Sequence, residues 1–155
     1  MIKFLDLKRL NSKYSKELKE TSSKVIDSGW YLMGKQLEIF EKKYSKYCKS
    51  KYTLGVSNGL DALRLIFKAY IEMGIMQKGD EVLVPANTYI ASVLSITDNG
   101  LIPVFVEPNI NTYNIDPARI KEKITTKTKA ILTVHLYGKI SINEELLEIA
   151  SNNSL

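Results

Sequence analysis

The first third of the chain carries apolar side chains at helical spacing. In two stretches, residues that can share one helix face recur every three to four positions. The first stretch has Tyr14, Leu18, Thr21 and Val25, and the second has Leu37, Phe40, Tyr44 and Tyr47. This spacing predicts two amphipathic helices. The first is predicted to start at the N-cap Ser12 and to end near Ser28-Gly29, and the second to start at Gln36. Residues 1–51 are therefore predicted to form an N-terminal helical segment.

From residue 52 onward, short apolar runs alternate with helical stretches. The predicted strands are Tyr52–Val56, Glu81–Val84, Ile102–Val106 and Ala130–Val134. The predicted helices are Leu60–Met73, ended by Gly74, and Ile90–Thr97, ended near Asn99-Gly100. Continuous apolar strands separated by helices indicate parallel βαβ units covered on both faces. We predict an α/β domain over residues 52–155, with ligands bound at the carboxyl ends of its strands.

The turn Ser57–Leu60 joins a predicted strand to a predicted helix. The first N–H groups of a helix have no intrahelical acceptor, and the helix dipole favours negative charge at that end. Gly59 allows a phosphate to approach the backbone without an intervening side chain. The turn is thus a candidate phosphate site, and the alternative is that Asn58 and Gly59 serve only to cap the helix.

Aromatic residues mark two further candidate binding segments. Tyr89 follows the predicted strand Glu81–Val84 after a turn that begins at Pro85, close to the predicted phosphate turn, where its ring could stack on a heteroaromatic cofactor. Its alternative role is packing at a helix start. Trp30 and Tyr31 lie in a loop bracketed by Gly29 and Gly34, where they cover either a ligand or a partner chain, or form a hydrophobic plug.

Several classes of enzyme lack the residues they need in this sequence. His135 is the sole histidine and Cys48 the sole cysteine, which lies on a predicted helix. No Gly-x-Ser-x-Gly motif is present, so a serine or cysteine hydrolase is not predicted. A single His with scattered carboxylates argues against a metal site. His135 is either a site residue or a hydrogen-bonded residue at a strand end.

Composition and charge indicate the cellular compartment and the kinds of partner that the protein binds. The 155 residues carry a net charge of +5 that comes from lysines scattered over helical surfaces. Such a distribution is typical of a solvated face and not of a nucleic-acid interface. The N-terminus has no apolar signal region, and no apolar run approaches membrane-spanning length. We expect a cytoplasmic protein that binds neither nucleic acid nor membrane.

Ordered blocks along nearly the whole chain resemble one known family. The matching blocks are Phe4–Leu7, Ser28–Tyr31 with Gly34 and Phe40-Glu41, Val56–Leu63, Gly79–Val82 with Val84–Tyr89, Asn114–Pro117 and His135–Gly138. Together they resemble the DegT/DnrJ/EryC1/StrS sugar aminotransferases, which depend on pyridoxal phosphate and have fold type I. Asn87–Ser92 and Glu107–Asn114 look most like the transaminases that aminate the 3-keto carbon of a dTDP-linked 6-deoxyhexose.

The resemblance implies a fold and a set of roles. The fold is the N-terminal part of an aspartate-aminotransferase-like large domain, a mostly parallel sheet flanked by helices. The amides of Gly59 and Leu60, with Asn58, are implied to hold the phosphate of pyridoxal phosphate, and Tyr89 to stack on its pyridine ring. Leu60 stands where many relatives have a hydroxyl residue, so one phosphate hydrogen bond must come from elsewhere. The residues implied to face the sugar nucleotide are Trp30, Tyr31 and Tyr137.

The resemblance also implies partners and an incomplete domain. An amino acid such as glutamate is the implied donor, and the full-length protein is implied to be a homodimer. The family has an aspartate that pairs with the pyridine nitrogen and a lysine that forms the Schiff base, both beyond the point that matches Leu155. The domain 52–155 is therefore expected to be truncated before that lysine, to contain no catalytic residue and to be inactive alone.

Two other functions remain open at this level. One is a non-catalytic module that keeps a sugar-nucleotide-binding or dimerisation surface. The other is a generic nucleotide-binding α/β domain, which is weakened because the sequence has no Gly-x-Gly-x-x-Gly motif and no P-loop lysine. The aminotransferase hypothesis places pyridoxal phosphate at the turn Ser57–Leu60, and the other two do not.

Overall fold

The computed structural model describes residues 3–155, which form two compact units. One ends at Gly55 and the other runs from Val56 to Leu155. The sequence placed this boundary after residue 51. The difference concerns the segment 52–55, which belongs with the helices before it because the Gly55 N–H donates to Glu41 Oε1 at 2.8 Å.

The unit that ends at Gly55 contains three helices, α1 (Leu7–Ser12), α2 (Ser15–Ser28) and α3 (Lys35–Cys48). Ser12 is the last residue of α1 and not the cap of α2, so that expectation is wrong. Helix α2 begins at Ser15, so Tyr14 and not Ser12 occupies its N-cap position, and the Ser12 hydroxyl donates to the Arg9 carbonyl at 2.7 Å within the preceding helix. The end of α2 is as predicted, because Gly29 adopts a left-handed φ of 64°.

The predicted apolar face of α3 is present, but it is not buried. The Phe40 and Tyr44 ring centroids are 5.5 Å apart, and those of Tyr44 and Tyr47 are 6.2 Å apart. The helical spacing therefore placed these aromatic residues on one face. None of the residues in α1, α2 or α3 is buried, and Cys48 at the end of α3 is exposed.

The second unit is built on a parallel sheet. Its elements are α4 (Gly59–Glu72), β1 (Glu81–Pro85), α5 (Ile90–Thr97), β2 (Ile102–Val106), α6 (Pro117–Lys121), β3 (Thr128–Ile131), a 3-10 helix (Leu136–Gly138) and α7 (Glu144–Asn152). The strand order is β2-β1-β3, and both pairings are parallel. The predicted α/β class with a parallel sheet and flanking helices is confirmed.

Two of the predicted strands differ in the structure. Within residues 3–155, no strand pairs with Tyr52–Val56, which therefore does not form a ladder. An apolar run becomes a strand only where a neighbour accepts its hydrogen bonds. The predicted strand Ala130–Val134 instead forms as β3 over Thr128–Ile131, because its register begins with Thr128 opposite Glu81. Beyond β3, only the Leu132 N–H continues the pairing, to the Leu83 carbonyl at 2.8 Å.

The core has one layer on each face of the sheet. The layer with α4 and α5 contains Phe67, Met76, Val82, Val84, Ile96 and Leu101. The layer with α6 and α7 contains Leu83, Val106, Ile115, Ile120, Leu146 and Ile149. Alternate residues of β1 point to opposite layers, as the two-residue period of a strand requires. Burial on both faces explains why the residues of β1 after Glu81 are all apolar. In residues 3–155, no helix has the length and hydrophobicity needed to cross a membrane.

Candidate functional site

The turn before α4 leaves two backbone donors free. Asn58 caps the helix, because its Oδ1 accepts from the Asp61 N–H at 2.9 Å and its carbonyl accepts from the Ala62 N–H at 3.1 Å. The N–H groups of Gly59 and Leu60 have no hydrogen-bond acceptor within residues 3–155. Capping therefore uses only part of the donor capacity of the turn, and two adjacent amides remain available to an external anion.

Gly59 is not required by the packing or the backbone of the chain. A Cβ built on Gly59 would meet no atom within 4 Å, and its φ lies outside the left-handed region. Neither the backbone conformation nor a close neighbour requires glycine at position 59. Its missing side chain therefore leaves open space beside the two free amides. The residues present thus fit the phosphate group of the cofactor that the resemblance implies.

A charged network that the sequence reasoning missed lies beside this turn. The carboxylate of Asp61 accepts from the Ser57 hydroxyl, from Asn58 Nδ2 at 3.0 Å and from Arg64 Nη1 at 3.2 Å. These hydrogen bonds, first that of Ser57 and then that of Arg64, lower the pKa of Asp61. Asp61 is therefore ionised next to a turn suited to bind an anion, and Arg64 supplies the compensating positive charge.

Arg64 also reaches the end of α5. Its Nε donates to Asp98 Oδ2 at 2.7 Å, and its Nη2 contacts the same oxygen. Asp98 is the C-cap residue of α5, and its hydrogen bond to Arg64 raises the pKa of the guanidinium. The spacing of Asp61 and Arg64 is a helix pair readable from the sequence. The partner Asp98, 34 residues away, has no local signal.

Tyr89 lies at the carboxyl end of β1 with its ring accessible. It is the N-cap residue of α5, and its side chain is 80% exposed. The preceding loop is held by the Thr88 hydroxyl, which donates to the Pro85 carbonyl at 3.1 Å, and by the Ala86 N–H, which donates to Val106 at 2.9 Å. The alternative of a tyrosine packed at a helix start is therefore wrong, and a flat aromatic surface is free at this edge.

Hydrogen bonds join the loops at the carboxyl edge of the sheet. Asn87 Nδ2 donates to the Tyr113 carbonyl at 2.9 Å, and Asn114 Nδ2 donates to the Lys139 and Ile140 carbonyls at 3.3 and 3.1 Å. The loops after β1, β2 and β3 are thus connected. Tyr137 belongs to the last of them, is fully exposed and has a φ of 51°. Its role toward a sugar nucleotide stays a prediction.

His135 is held by the residues that follow it. It lies beyond the end of β3, so it is not at the strand end where the sequence placed it. Its Nδ1 accepts from the Ser141 N–H at 3.1 Å and lies 3.1 Å from the Ser141 hydroxyl. A backbone N–H can only donate, so the proton of the neutral ring is on Nε2. The interpretation of His135 as a hydrogen-bonded structural residue agrees with this geometry.

Trp30 and Tyr31 lie in the unit that ends at Gly55. The indole N–H of Trp30 donates to the Leu32 carbonyl at 2.8 Å, and the Tyr31 hydroxyl donates to the Ile26 carbonyl at 3.1 Å. Both rings are mostly exposed, at 68% and 65%, which contradicts the alternative of a hydrophobic plug. Their assignment to a sugar nucleotide stays a prediction.

Comparison with known proteins finds matches over nearly the whole chain. The profile of the DegT/DnrJ/EryC1/StrS aminotransferase family matches residues 12–155. The chain is 54% identical over 155 residues to the dTDP-3-amino-3,6-dideoxy-alpha-D-galactopyranose transaminase of Aneurinibacillus thermoaerophilus, covering all of this chain and 42% of the relative. The chain thus spans well under half the length of the curated relatives it matches.

Two solved structures extend the match to three dimensions. DesV of Streptomyces venezuelae, in complex with a ketimine intermediate, superposes with a TM-score of 0.87 at 41% identity, over 99% of this chain and 40% of DesV. NtdA of Bacillus subtilis, with bound cofactor PMP, gives a TM-score of 0.87 at 35% identity, over 99% of this chain and 35% of NtdA. On the profile match and these relatives, the chain belongs to the DegT/DnrJ/EryC1/StrS aminotransferase family.

Proposed function

We propose that the full-length protein transfers an amino group from an amino acid donor, such as glutamate, to a keto sugar nucleotide. Pyridoxal phosphate is the cofactor of this family, and solved relatives hold PMP or hydrated PLP. The observation that carries the proposal is the open turn at Gly59, whose two free amides lie in the same unit as the exposed ring of Tyr89. The two amides can donate to the phosphate of pyridoxal phosphate, and the Tyr89 ring can stack on its pyridine ring.

Each residue of the proposed site has a separate task. The N–H groups of Gly59 and Leu60 donate to the phosphate, and Asn58 holds the turn through its cap to Asp61. The ring of Tyr89 stacks on the pyridine ring. The Leu60 side chain supplies no hydroxyl, so the phosphate takes a further donor from outside this turn. When bound, the cofactor supplies the electron sink that amino transfer needs.

The cofactor site is tested by substitution of Gly59. Gly59→Val in the full-length protein places a branched side chain in the open space over the amides, where the chain itself has nothing to clash with. We expect at least ~10-fold weaker binding of pyridoxal phosphate by equilibrium dialysis, equivalent to ~1.4 kcal/mol. Gly59→Ala should give a smaller loss. Far-UV circular dichroism should not change, and equal affinity in the parent and Gly59→Val would exclude the turn from the site.

The substrate is proposed from the relative named above, which is a transaminase of a dTDP-linked 3-amino-3,6-dideoxy sugar. We infer that a dTDP-3-keto-6-deoxyhexose is aminated by this protein, with Trp30, Tyr31 and Tyr137 contributing to its binding. The test is amino transfer from glutamate to the dTDP-linked ketosugar, with aspartate as the control donor and a GDP-linked ketosugar as the control acceptor. Equal rates with the two nucleotides would contradict the proposed specificity.

The remaining proposals concern assembly, location and domain extent. We infer that the full-length protein is a cytoplasmic homodimer, and that residues 52–155 form part of a larger cofactor-binding domain that carries the Schiff-base lysine. The Leu60 side chain cannot donate a hydrogen bond to the phosphate. We therefore expect a residue of a second subunit to donate it. Sedimentation velocity of the full-length protein tests the dimer, and a monomer with full cofactor affinity would contradict it.

A further inference from the structure

Arg64 connects the phosphate turn to a second helix. Its guanidinium bonds the Asp61 carboxylate, which belongs to the first turn of α4, and the carboxylate of Asp98, the C-cap residue at the far end of α5. The backbone is tied at the same place, because Asn99 Nδ2 donates to the Arg64 carbonyl at 3.2 Å and to the Ser95 carbonyl at 2.8 Å. Residue 64 thus meets the end of α5 through both its side chain and its carbonyl.

The two helices joined in this way carry the two halves of the proposed site. α4 begins at Gly59, and α5 begins after Tyr89. α5 is a short helix of 8 residues, so a restraint at its C-terminal end also restrains its N-terminal end. A site is more precise when the elements that carry its contacts are held by surrounding hydrogen bonds.

Arg64 also balances a charge that the turn carries. Asp61 lies three residues beyond Asn58, and its carboxylate is bonded within the turn to Ser57 and Asn58. An uncompensated carboxylate there would repel an incoming phosphate. The guanidinium is planar and always charged, so it can bond both carboxylates at once, whereas a lysine ammonium is a single point charge.

We propose that Arg64 is a positioning residue of the cofactor site, which holds the phosphate turn of α4 to the helix of Tyr89 and neutralises Asp61 beside the phosphate. This rests on the proposed function, since it concerns the same cofactor. Arg64 and both of its carboxylate partners are 37 to 41% exposed. Ion pairs at that exposure contribute little to global stability. We therefore expect substitution of Arg64 to change the affinity for the cofactor and to leave the free energy of unfolding nearly unchanged.

The chain offers a matched control on the same helix. Lys68 pairs with Glu72 at 3.8 Å, one turn further along α4, and this pair includes no residue of the turn or of α5. Four variants of the full-length protein are compared with the parent: Arg64→Gln, Arg64→Lys, Asp98→Asn and Lys68→Gln. The dissociation constants of pyridoxal phosphate and of pyridoxal, which lacks the phosphate, are measured by equilibrium dialysis, and unfolding temperatures by circular dichroism.

Arg64→Gln should weaken binding of pyridoxal phosphate by roughly 5- to 20-fold, as loss of one partly exposed charge contact near an anion predicts. Pyridoxal should lose less, because it has no phosphate to be repelled by Asp61. Adding Asp61→Asn to Arg64→Gln should restore part of the lost affinity. Arg64→Lys should be intermediate, and Asp98→Asn should cost about 3-fold. Lys68→Gln should match the parent, and all unfolding temperatures should be similar.

Two results separate this inference from the proposed function. If Gly59→Val abolishes binding while Arg64→Gln behaves like Lys68→Gln, the turn holds the cofactor and the role of Arg64 is wrong. If Gly59→Val binds pyridoxal phosphate as the parent does, the turn is not the site and both proposals fail. An unchanged dissociation constant in Asp98→Asn would overturn the part that assigns a role to the connection with α5.

Discussion

The two units of the chain have similar helical patterns and opposite degrees of burial. Helices α3 and α4 both contain 14 residues with several apolar side chains, yet none of the residues in α3 is buried, whereas α4 buries Phe67. The difference lies in the sheet, because β1 and its neighbours offer apolar faces to α4 and α5 on one side and to α6 and α7 on the other. Periodicity therefore predicts a helix and its apolar face, but burial requires a partner surface.

The same contrast separates the candidate site residues. Those assigned to the cofactor are in the unit from Val56 to Leu155, where a cap, a charge network and the packed helices α4 and α5 define their positions. Trp30 and Tyr31 are in the other unit, where local hydrogen bonds hold their side chains, but the helices α2 and α3 on either side of their loop contain no buried residue. The candidate cofactor residues are therefore held by packed elements, whereas Trp30 and Tyr31 are held by local hydrogen bonds.

The largest expected effect tests the contrast in burial directly. Ile96 is fully buried in the layer with α4, whereas Leu18 of α2 is 51% exposed. Ile96→Ala should lower the free energy of unfolding by ~3 kcal/mol, through lost transfer energy and an unfilled cavity. Leu18→Ala should cost less than ~1 kcal/mol, because little buried area is lost and alanine favours the helix. Urea unfolding of the full-length protein measures both, and equal losses would show that α2 packs as tightly as α5.

A second prediction contrasts the aromatic residues of the two units. Tyr89→Ala should weaken binding of pyridoxal phosphate by ~1 to 1.5 kcal/mol through loss of stacking, and Tyr89→Phe should cost little because the ring is retained. Trp30→Ala should leave the affinity for pyridoxal phosphate unchanged and weaken binding of the sugar nucleotide. Isothermal titration with each ligand measures these changes. Equal damage from Tyr89→Phe and Tyr89→Ala would mean that the hydroxyl acts and that stacking is the wrong explanation.

A third prediction compares the glycines at the two ends of α4. Gly74 follows the helix with a left-handed φ of +70°, whereas the φ of Gly59 is not left-handed, and neither glycine has a neighbour within 4 Å of a built Cβ. Gly74→Ala should therefore destabilise the fold by ~1 kcal/mol through backbone strain. Gly59→Ala should leave unfolding nearly unchanged and affect only cofactor binding. The reverse pattern would mean that Gly59 serves the fold.

The smallest expected effect concerns the pH dependence of Asp61. Hydrogen bonds from Ser57 and Arg64 lower its pKa in the folded protein, so its ionised form adds stability above its ordinary pKa. That stability is lost as the pH falls through the lowered folded pKa. Asp61→Asn should thus lower the unfolding temperature slightly at about pH 7, and the difference should shrink at about pH 2 to 3. A constant difference across this range would show that ionisation of Asp61 is irrelevant.

Much of the fold was predictable from local pattern. The apolar stretch at β1 is buried on both faces and has no polar interruption, so its spacing identified a central parallel strand. Gly29 and Gly74 marked the ends of α2 and α4 because each takes a left-handed φ that other residues avoid. The turn at Asn58 and Gly59 was recognisable for a different reason, since helix capping by Asn58 depends on residues adjacent in the chain.

The sequence by itself determined the helices α2, α3, α4 and α5, the strands β1 and β2, the class of the sheet and the turn that caps α4, because each depends on residues close together in the chain. The short helices α1 and α6 and the helix α7 were not predicted. Tertiary structure decided what local pattern could not. Tyr52–Val56 is apolar, yet it has no pairing strand within residues 3–155, and Ser12 bonds back to Arg9 instead of capping α2. Arg64 meets Asp98 only because α4 and α5 pack on one face of the sheet. Burial, strand pairing and long-range ion pairs depend on which distant surfaces meet, and spacing along the chain does not encode that.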